Sequence, residues 1–259
     1  MRAVSRAVGI LRAFTPERQH LALAEVARAA GLDSGTTRRI LVTLKDEGLV
    51  RQDDGNGTYC LSLELLQLAS AVPDGNSLRE LTASRLMRLA RETQATVFLS
   101  IRQGDAAVCL ARYHSESAVQ VRWWSVGGKL PLNCGAGPKV LLSNLSGEEK
   151  EQILSGSLTQ LTGHSTAEPE SLRTEIDQIS QAGWALTQDD VAEGLSALAV
   201  PLCNGLGEVL AAISIGGLTP QIISQSEPRW LNELQRCEQD LAPIVRSISP
   251  VDVRLNDFN

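Results

Sequence analysis

No stretch of this 259-residue chain stays apolar for the roughly 18–20 residues that a membrane span needs. Residues 1–13 are interrupted by Arg2, Arg6 and Arg12 and hold neither the apolar centre nor the cleavage site of a signal peptide. The five cysteines, at 60, 109, 134, 203 and 237, are odd in number and scattered. No CxxC or Cys/His cluster marks a metal site, so reduced thiols of a cytoplasmic protein without a cofactor are expected. A surplus of basic charge is missing too, since the net charge is −6. Its distribution is uneven. Residues 1–70 carry nine Lys+Arg against eight Asp+Glu, so the acidity belongs to the remainder. Total charge therefore gives no support to nucleic-acid binding, and the placement of individual arginines has to decide. Aromatic residues make up only 3 %, which makes the Trp123-Trp124 pair unusual. On a strand the two rings point to opposite faces, one toward core and the other toward a pocket or an interface.

What is present begins with residues 21–61. Residues 21–30 read as a short amphipathic helix, with Leu21, Ala24, Val26 and Ala27 along or near one face. Gly31 stops it, because only glycine enters the left-handed conformation without strain. Asp33 and Ser34 can cap a second helix. Thr37, Ile40, Leu41 and Leu44 form its buried face, and Thr36, Arg38, Arg39 and Thr43 its other faces. Gly48 ends it. Residues 49–52 and 58–61 then flank a turn, Asp53-Asp54-Gly55-Asn56-Gly57, and read as a β-hairpin. Helix, tight turn, helix and hairpin is the order of a winged helix-turn-helix, whose second helix enters the major groove of double-stranded DNA. Arg38 and Arg39 suit guanine edges or phosphates. Ser34, Thr36 and Thr43 offer hydroxyls, and Gly35 allows a close approach of the helix N-terminus to the phosphate backbone. Arg6 and Asn56 complete the expected DNA-binding set. Any one of these arginines, taken singly, reads as an ordinary surface charge.

Ser5 can cap a preceding helix that carries Val8 and Leu11, and Ser62 a following one through Leu65, Leu66, Leu68 and Ala69. That last apolar set reads either as a dimer contact or as core. Pro, Gly, Asp and Asn crowd residues 72–76, the best boundary in the chain. The expected domains are 1–61, a winged helix-turn-helix, then 62–76, a linker helix and loop, then 77–250. Ser77 and Glu80 form a capping box for a helix with Leu78, Leu81, Leu86 and Leu89 inward. Extended runs follow at 96–102, 106–113 and 118–124, short helices at 135–145 and 148–154, and a longer helix at 168–182 stopped by Gly183. Strands at 184–187, 197–203 and 209–215 precede a closing helix over 228–248, with Pro243 a kink or break. Hairpins between helices give an α+β class, an antiparallel sheet flanked by helices.

At this point the chain resembles the IclR-type transcriptional regulators over nearly its whole length. The first domain carries Leu32, Thr36, Arg39, Ile40-Leu41, Thr43-Leu44 and Gly48 in the family order. The second carries Leu130-Pro131 leading to Lys139, then Gly183-Trp184, Asp189-Asp190, Gly194, Ala199-Val200-Pro201, Gly207 and Ala212-Ile213-Ser214. Gly35, Thr37 and Pro138 depart from the family pattern. The resemblance implies a GAF-like effector-binding and oligomerisation domain, a homodimer or homotetramer, and a small-molecule pocket where the start of the 135–139 helix meets the final strands. There Gly135 would line the pocket, and Ala136 and Gly137 would offer free N–H groups to a carboxylate. Asp190 and Ser214 would bond hydroxyls or water, and Leu130, Ala199 and Pro201 would give apolar walls to a small organic acid or aromatic metabolite. Without the resemblance, Gly135-Ala136-Gly137 reads equally well as a plain loop. Two other readings carry their own signals. Cys134 before a helix start suits a nucleophile, although neither His114 nor His164 forms a motif with it. A winged-helix adaptor would need no ligand at all.

Overall fold

In a computed structural model that describes residues 2–15, 18–71, 75–115, 124–225 and 227–253, the chain forms two units, Met1–Val72 and Pro73–Asn259. The division falls inside the expected 62–76 linker.

The first unit packs α1 (Arg2–Leu11), α2 (Leu23–Ala30) and α3 (Ser34–Asp46) around Ile10, Val26, Leu41 and Leu44. A fully buried leucine such as Leu41 contributes about 1.5–3 kcal/mol relative to an exposed one. Gly31 ends α2 in the left-handed region at φ 63°, the turn its position predicts. Leu21 lies outside α2. It is buried and pairs with Tyr59, each N–H donating to the other's carbonyl at 3.0 and 2.8 Å. This ties the entry of α2 to the hairpin β1 (Val50–Gln52) and β2 (Tyr59–Leu61). Ser5 lies inside α1 rather than at its cap. Helix α4 (Glu64–Ser70) buries none of its residues, and Leu66 and Leu68 are exposed, so they are not core.

The second unit opens with α5 (Gly75–Thr93), two residues ahead of the expected Ser77 cap. Leu78, Leu86 and Leu89 are buried, whereas Leu81 is exposed on the outer face. Strands β3 (Thr96–Gln103) and β4 (Ala106–Tyr113) form the predicted hairpin. The strand expected at 118–124 falls, apart from Trp124, outside the described residues, as does Trp123. Instead β5 (Lys129–Pro131) pairs with β4. Then come α6 (Ala136–Ser143), α7 (Gly147–Leu154), α8 (Pro169–Ala182), β6 (Ala185–Gln188), β7 (Leu195–Cys203) and β8 (Val209–Leu218). The antiparallel sheet runs β5-β4-β3-β8-β7-β6. A short helix α9 (Thr219–Ile222), the pair β9 (Ile223–Ser224) and β10 (Glu227–Pro228), α10 (Leu231–Leu241) and α11 (Pro250–Val253) complete the unit. The closing helix is thus shorter than 228–248. It stops before Pro243, whose ring and missing N–H favour a stop there over a kink.

Strand alternation divides the core between the two sheet faces. Val97, Leu99, Ile101, Ile213 and Ile215 face α5 and α10. Phe98, Ala107, Ala199 and Ala212 face α6 and α8. Small residues on the second face let α6 lie close to the sheet. A Cβ added to Gly137 would come within 3.1 Å of Ser100 Oγ and 3.3 Å of Ser214 Oγ.

Candidate functional site

In the first unit, Arg38, Arg39, Thr43 and Val42 are exposed along α3. Asp33 caps the helix, its Oδ1 accepting from Thr36 N–H at 2.8 Å, and that bond holds its carboxyl below its ordinary value. The cap consumes one N–H at the helix start and places a negative charge there. Gly35 has a local reason to be glycine, because a Cβ would sit 3.3 Å from the same Asp33 oxygen. Arg39 Nη2 donates to Thr36 Oγ1 at 3.3 Å, so these two predicted contacts are neighbours on one face. Thr43 Oγ1 donates to the Arg39 carbonyl at 3.2 Å. Ser34 is exposed in the first turn. Asn56 also has a local role. Its Oδ1 accepts from Thr58 N–H at 2.9 Å and Thr58 Oγ1 at 2.6 Å, so that end of the side chain builds the hairpin turn. Arg6 is exposed on α1, and no hydrogen bond or ion pair among the described residues joins it to α3.

In the second unit a cavity of about 40 Å³ lies between the start of α6 and the sheet. Leu130, Gly135, Ala136, Gly137, Asp190 and Ser214 all line it. Ala199 and Pro201 do not. Ala199 faces the same side of β7 but is fully buried in the core beneath α6 and α8, and half-buried Pro201 stands one rung further on. The cavity lies at the other end of that strand, by Leu195 and Ala197. Strand periodicity identifies the face, whereas the point where α6 crosses it decides which rung stays open.

Asp190 holds the site together. Its Oδ2 accepts from Gly135 N–H at 2.7 Å and lies 3.1 Å from Lys139 Nζ. Lys139 Nζ also donates to both Glu175 oxygens, at 2.8 and 3.0 Å. Asp190 Oδ1 is buried and has no hydrogen-bond partner among the described residues. The neighbouring Asp189 serves the loop instead, accepting from Gly194 N–H at 2.6 Å with its own φ at 57°. Ser165 Oγ donates to the Asp190 carbonyl and Thr162 Oγ1 to that of Asp189, both at 2.6 Å. Among the described residues the N–H groups of Ala136 and Gly137 have no partner, as expected for the first turn of a helix. Ser214 Oγ likewise makes no hydrogen bond among them and is buried. Phe98 and Trp124 close one side, ring centroids 5.6 Å apart and planes inclined by 32°. Trp124 Nε1 donates to the Gly128 carbonyl at 3.0 Å.

Sequence reasoning missed the places of Lys139, Glu175 and Phe98. Lys139 stood out only as part of a motif. Its partners are distant in the chain, and no local pattern signals them. The nucleophile reading of Cys134 fails on geometry. Burial first, and then the Asp190 charge, push its thiol up to about 11, and Sγ donates to the Thr159 carbonyl at 3.3 Å. A thiol held in that form is a poor nucleophile.

Among the described residues no group of His, Cys, Asp and Glu could hold a metal ion, and no helix is long and apolar enough to cross a membrane.

Residues 3–54 match the IclR helix-turn-helix domain, and residues 71–242 match the bacterial transcriptional regulator IclR C-terminal domain. The chain is 27 % identical over 237 residues to the HTH-type transcriptional regulator XynR of Escherichia coli, covering 91 % of this chain and 94 % of that protein. It is 26 % identical over 243 residues to the Pca regulon regulatory protein of Pseudomonas putida, covering 93 % and 83 %. The fold is that of the IclR homolog from Microbacterium hydrocarbonoxydans solved with 4-hydroxybenzoate. That match has a TM-score of 0.78 at 21 % identity and covers 95 % of this chain and 99 % of the other. With both domains matched in order and relatives that are regulators, the chain belongs to the IclR family of bacterial transcriptional regulators and is not an enzyme.

Proposed function

We propose that this regulator binds operator DNA through α3 and the hairpin, and that a compact organic acid in the cavity beside α6 changes that affinity. Arg6, Ser34, Gly35, Thr36, Arg38, Arg39, Thr43 and Asn56 form the proposed DNA face. Residues 1–61 act as the reader, 62–76 as the linker, and 77–250 as the effector and oligomerisation domain of a cytoplasmic homodimer or homotetramer. Leu66 and Leu68 of α4, with Leu63 just before it, are exposed and support a contact between protomers.

The observation that carries the effector reading is the cavity itself. Two unfilled N–H groups at the positive end of α6 face a space shared with buried Ser214 and Asp190. A carboxylate on Ala136 and Gly137 fits that end. Phe98 and Trp124 already occupy one side and narrow the space that remains. The site therefore favours a compact acid over an aromatic one, although the Microbacterium relative was solved with 4-hydroxybenzoate. The test is a gel-shift titration on DNA upstream of the chain's own gene, with and without small organic acids. A coupling of about 1–3 kcal/mol is expected, a five- to 150-fold change in operator affinity. Ser214→Leu fills the cavity and should abolish the response while ligand-free DNA binding persists. A folded variant responding with the same midpoint would place the effector elsewhere.

A further inference from the structure

We infer that the cavity selects 2-hydroxycarboxylates over the matching 2-oxocarboxylates, with the ligand hydroxyl donating to Asp190 Oδ1. The inference rests on the cavity being the effector site, and it adds the chemistry that the occupant must carry.

Asp190 is 3 % exposed, and its Oδ1 lacks a partner among the described residues. A buried acceptor left in that state calls for a donor. The protein donors that reach this carboxylate are used on its other oxygen. Gly135 N–H and Lys139 Nζ are both on Oδ2, and Lys139 is further held by Glu175. The hydroxyls of Thr162 and Ser165 pin the backbone from behind, so the carboxylate is held in place. An occupant of the cavity that Asp190 lines supplies such a donor directly.

The same cavity asks for an acceptor at the α6 end, where the N–H groups of Ala136 and Gly137 are unfilled. One molecule meeting both demands carries an acceptor beside a donor. A carboxylate with a hydroxyl on the adjacent carbon fits that description. A 2-oxo group would instead set carbonyl lone pairs against Oδ1 and leave it unfilled. An ammonium on the adjacent carbon would donate as well, so the matching amino acid forms a third arm of the test. Ser214 Oγ both donates and accepts, so it does not discriminate.

The test is calorimetric titration of the full chain with matched pairs, lactate and pyruvate, and 2-hydroxybutyrate and 2-oxobutyrate, with alanine as the ammonium arm. The hydroxy member of each pair should bind at least about tenfold tighter. Equal or tighter binding of the oxo acids, tighter binding of alanine, or no binding by any pair at tens of millimolar overturns the inference. Asp190→Asn puts a donor beside the acceptor, so the ratio within a pair should collapse or invert. That ratio is unaffected by a uniform loss of affinity. If the variant does not fold, the wild-type ratio still decides. Ser214→Leu separates the two readings. If oxo acids win and this variant abolishes their binding, the cavity reading stands and the hydroxyl reading falls. If hydroxy acids still bind to it, the occupied site lies elsewhere and both fall.

Discussion

Lys139→Met removes the one cation between two carboxylates while keeping the length and much of the volume of the side chain. Lys139 is 2 % exposed and Asp190 3 %, whereas Glu175 is 28 % exposed. Breaking a buried ion pair by deleting one partner costs about 3–5 kcal/mol, because the other charge stays buried without compensation. The burden is shared unequally here. Glu175 reaches water and can rehydrate. Asp190 cannot, and would keep only the Gly135 N–H. The lower end, about 3 kcal/mol, is therefore expected. For a unit of this size each kcal/mol moves the melting temperature by roughly 2–4 °C, so a drop of about 6–12 °C should appear in calorimetry of the full chain. The control is a second substitution. Asp190→Asn in the Lys139→Met background removes the stranded charge, and the double variant should be more stable than Lys139→Met alone by about 0.5–3 kcal/mol. A loss below about 1 kcal/mol for Lys139→Met, or a double variant no more stable than the single one, would refute the assignment of Lys139 as the counter-charge of Asp190.

Other outcomes follow from separate parts of the molecule. Arg39→Ala should weaken operator binding by about 1–3 kcal/mol while leaving thermal stability unchanged, since its side chain is exposed and among the described residues hydrogen-bonds only Thr36; unchanged affinity in a gel shift would remove Arg39 from the DNA face. Leu66→Asp should shift the assembly toward smaller species in sedimentation at micromolar concentration, and an unchanged distribution would free α4 from any protomer contact. Glu149 is held at about 2 by its hydrogen bonds with Arg102 and then Ser146, well below its ordinary 4.5. A depressed carboxyl stabilises the fold above its unfolded value and loses that contribution as pH falls from about 4.5 toward about 2. Glu149→Gln should therefore flatten stability against pH in that window, and an identical slope in urea unfolding would contradict the pairing.

Much of the fold was legible because its signals are local. Gly31 and Gly183 stop helices at φ 63° and 75°, where a side chain would be strained, and nothing distant is needed to read that. Asp33 caps α3 through a bond three residues long. Errors arose where a distant element decides. Leu21 looked like the first turn of α2, but pairing with Tyr59, far along the chain, drew it into a β-bridge. Leu81 fell into an apolar pattern on α5 and yet faces outward. Ala199 and Pro201 share a strand face with Ala197, and only the line along which α6 crosses β7 excludes them from the cavity.

The site shows the same division at finer grain. The helix start at Gly135-Ala136-Gly137 could be proposed from glycine, proline and resemblance, because N-terminal N–H groups are unfilled wherever a helix begins. What the helix start faces could not. Of two adjacent aspartates, Asp189 turns outward to hold Gly194 N–H and Asp190 turns inward to Gly135 and Lys139. The left-handed φ of 57° at Asp189 produces that divergence, and an alternating strand pattern would not have indicated which of the two enters the core. Lys139 then fixes the consequence. One oxygen of Asp190 is consumed by the protein's own structure, and the other is left for whatever enters the cavity. A cation from one helix, an anion from a loop and a second anion from another helix thus decide which functional group an occupant must present.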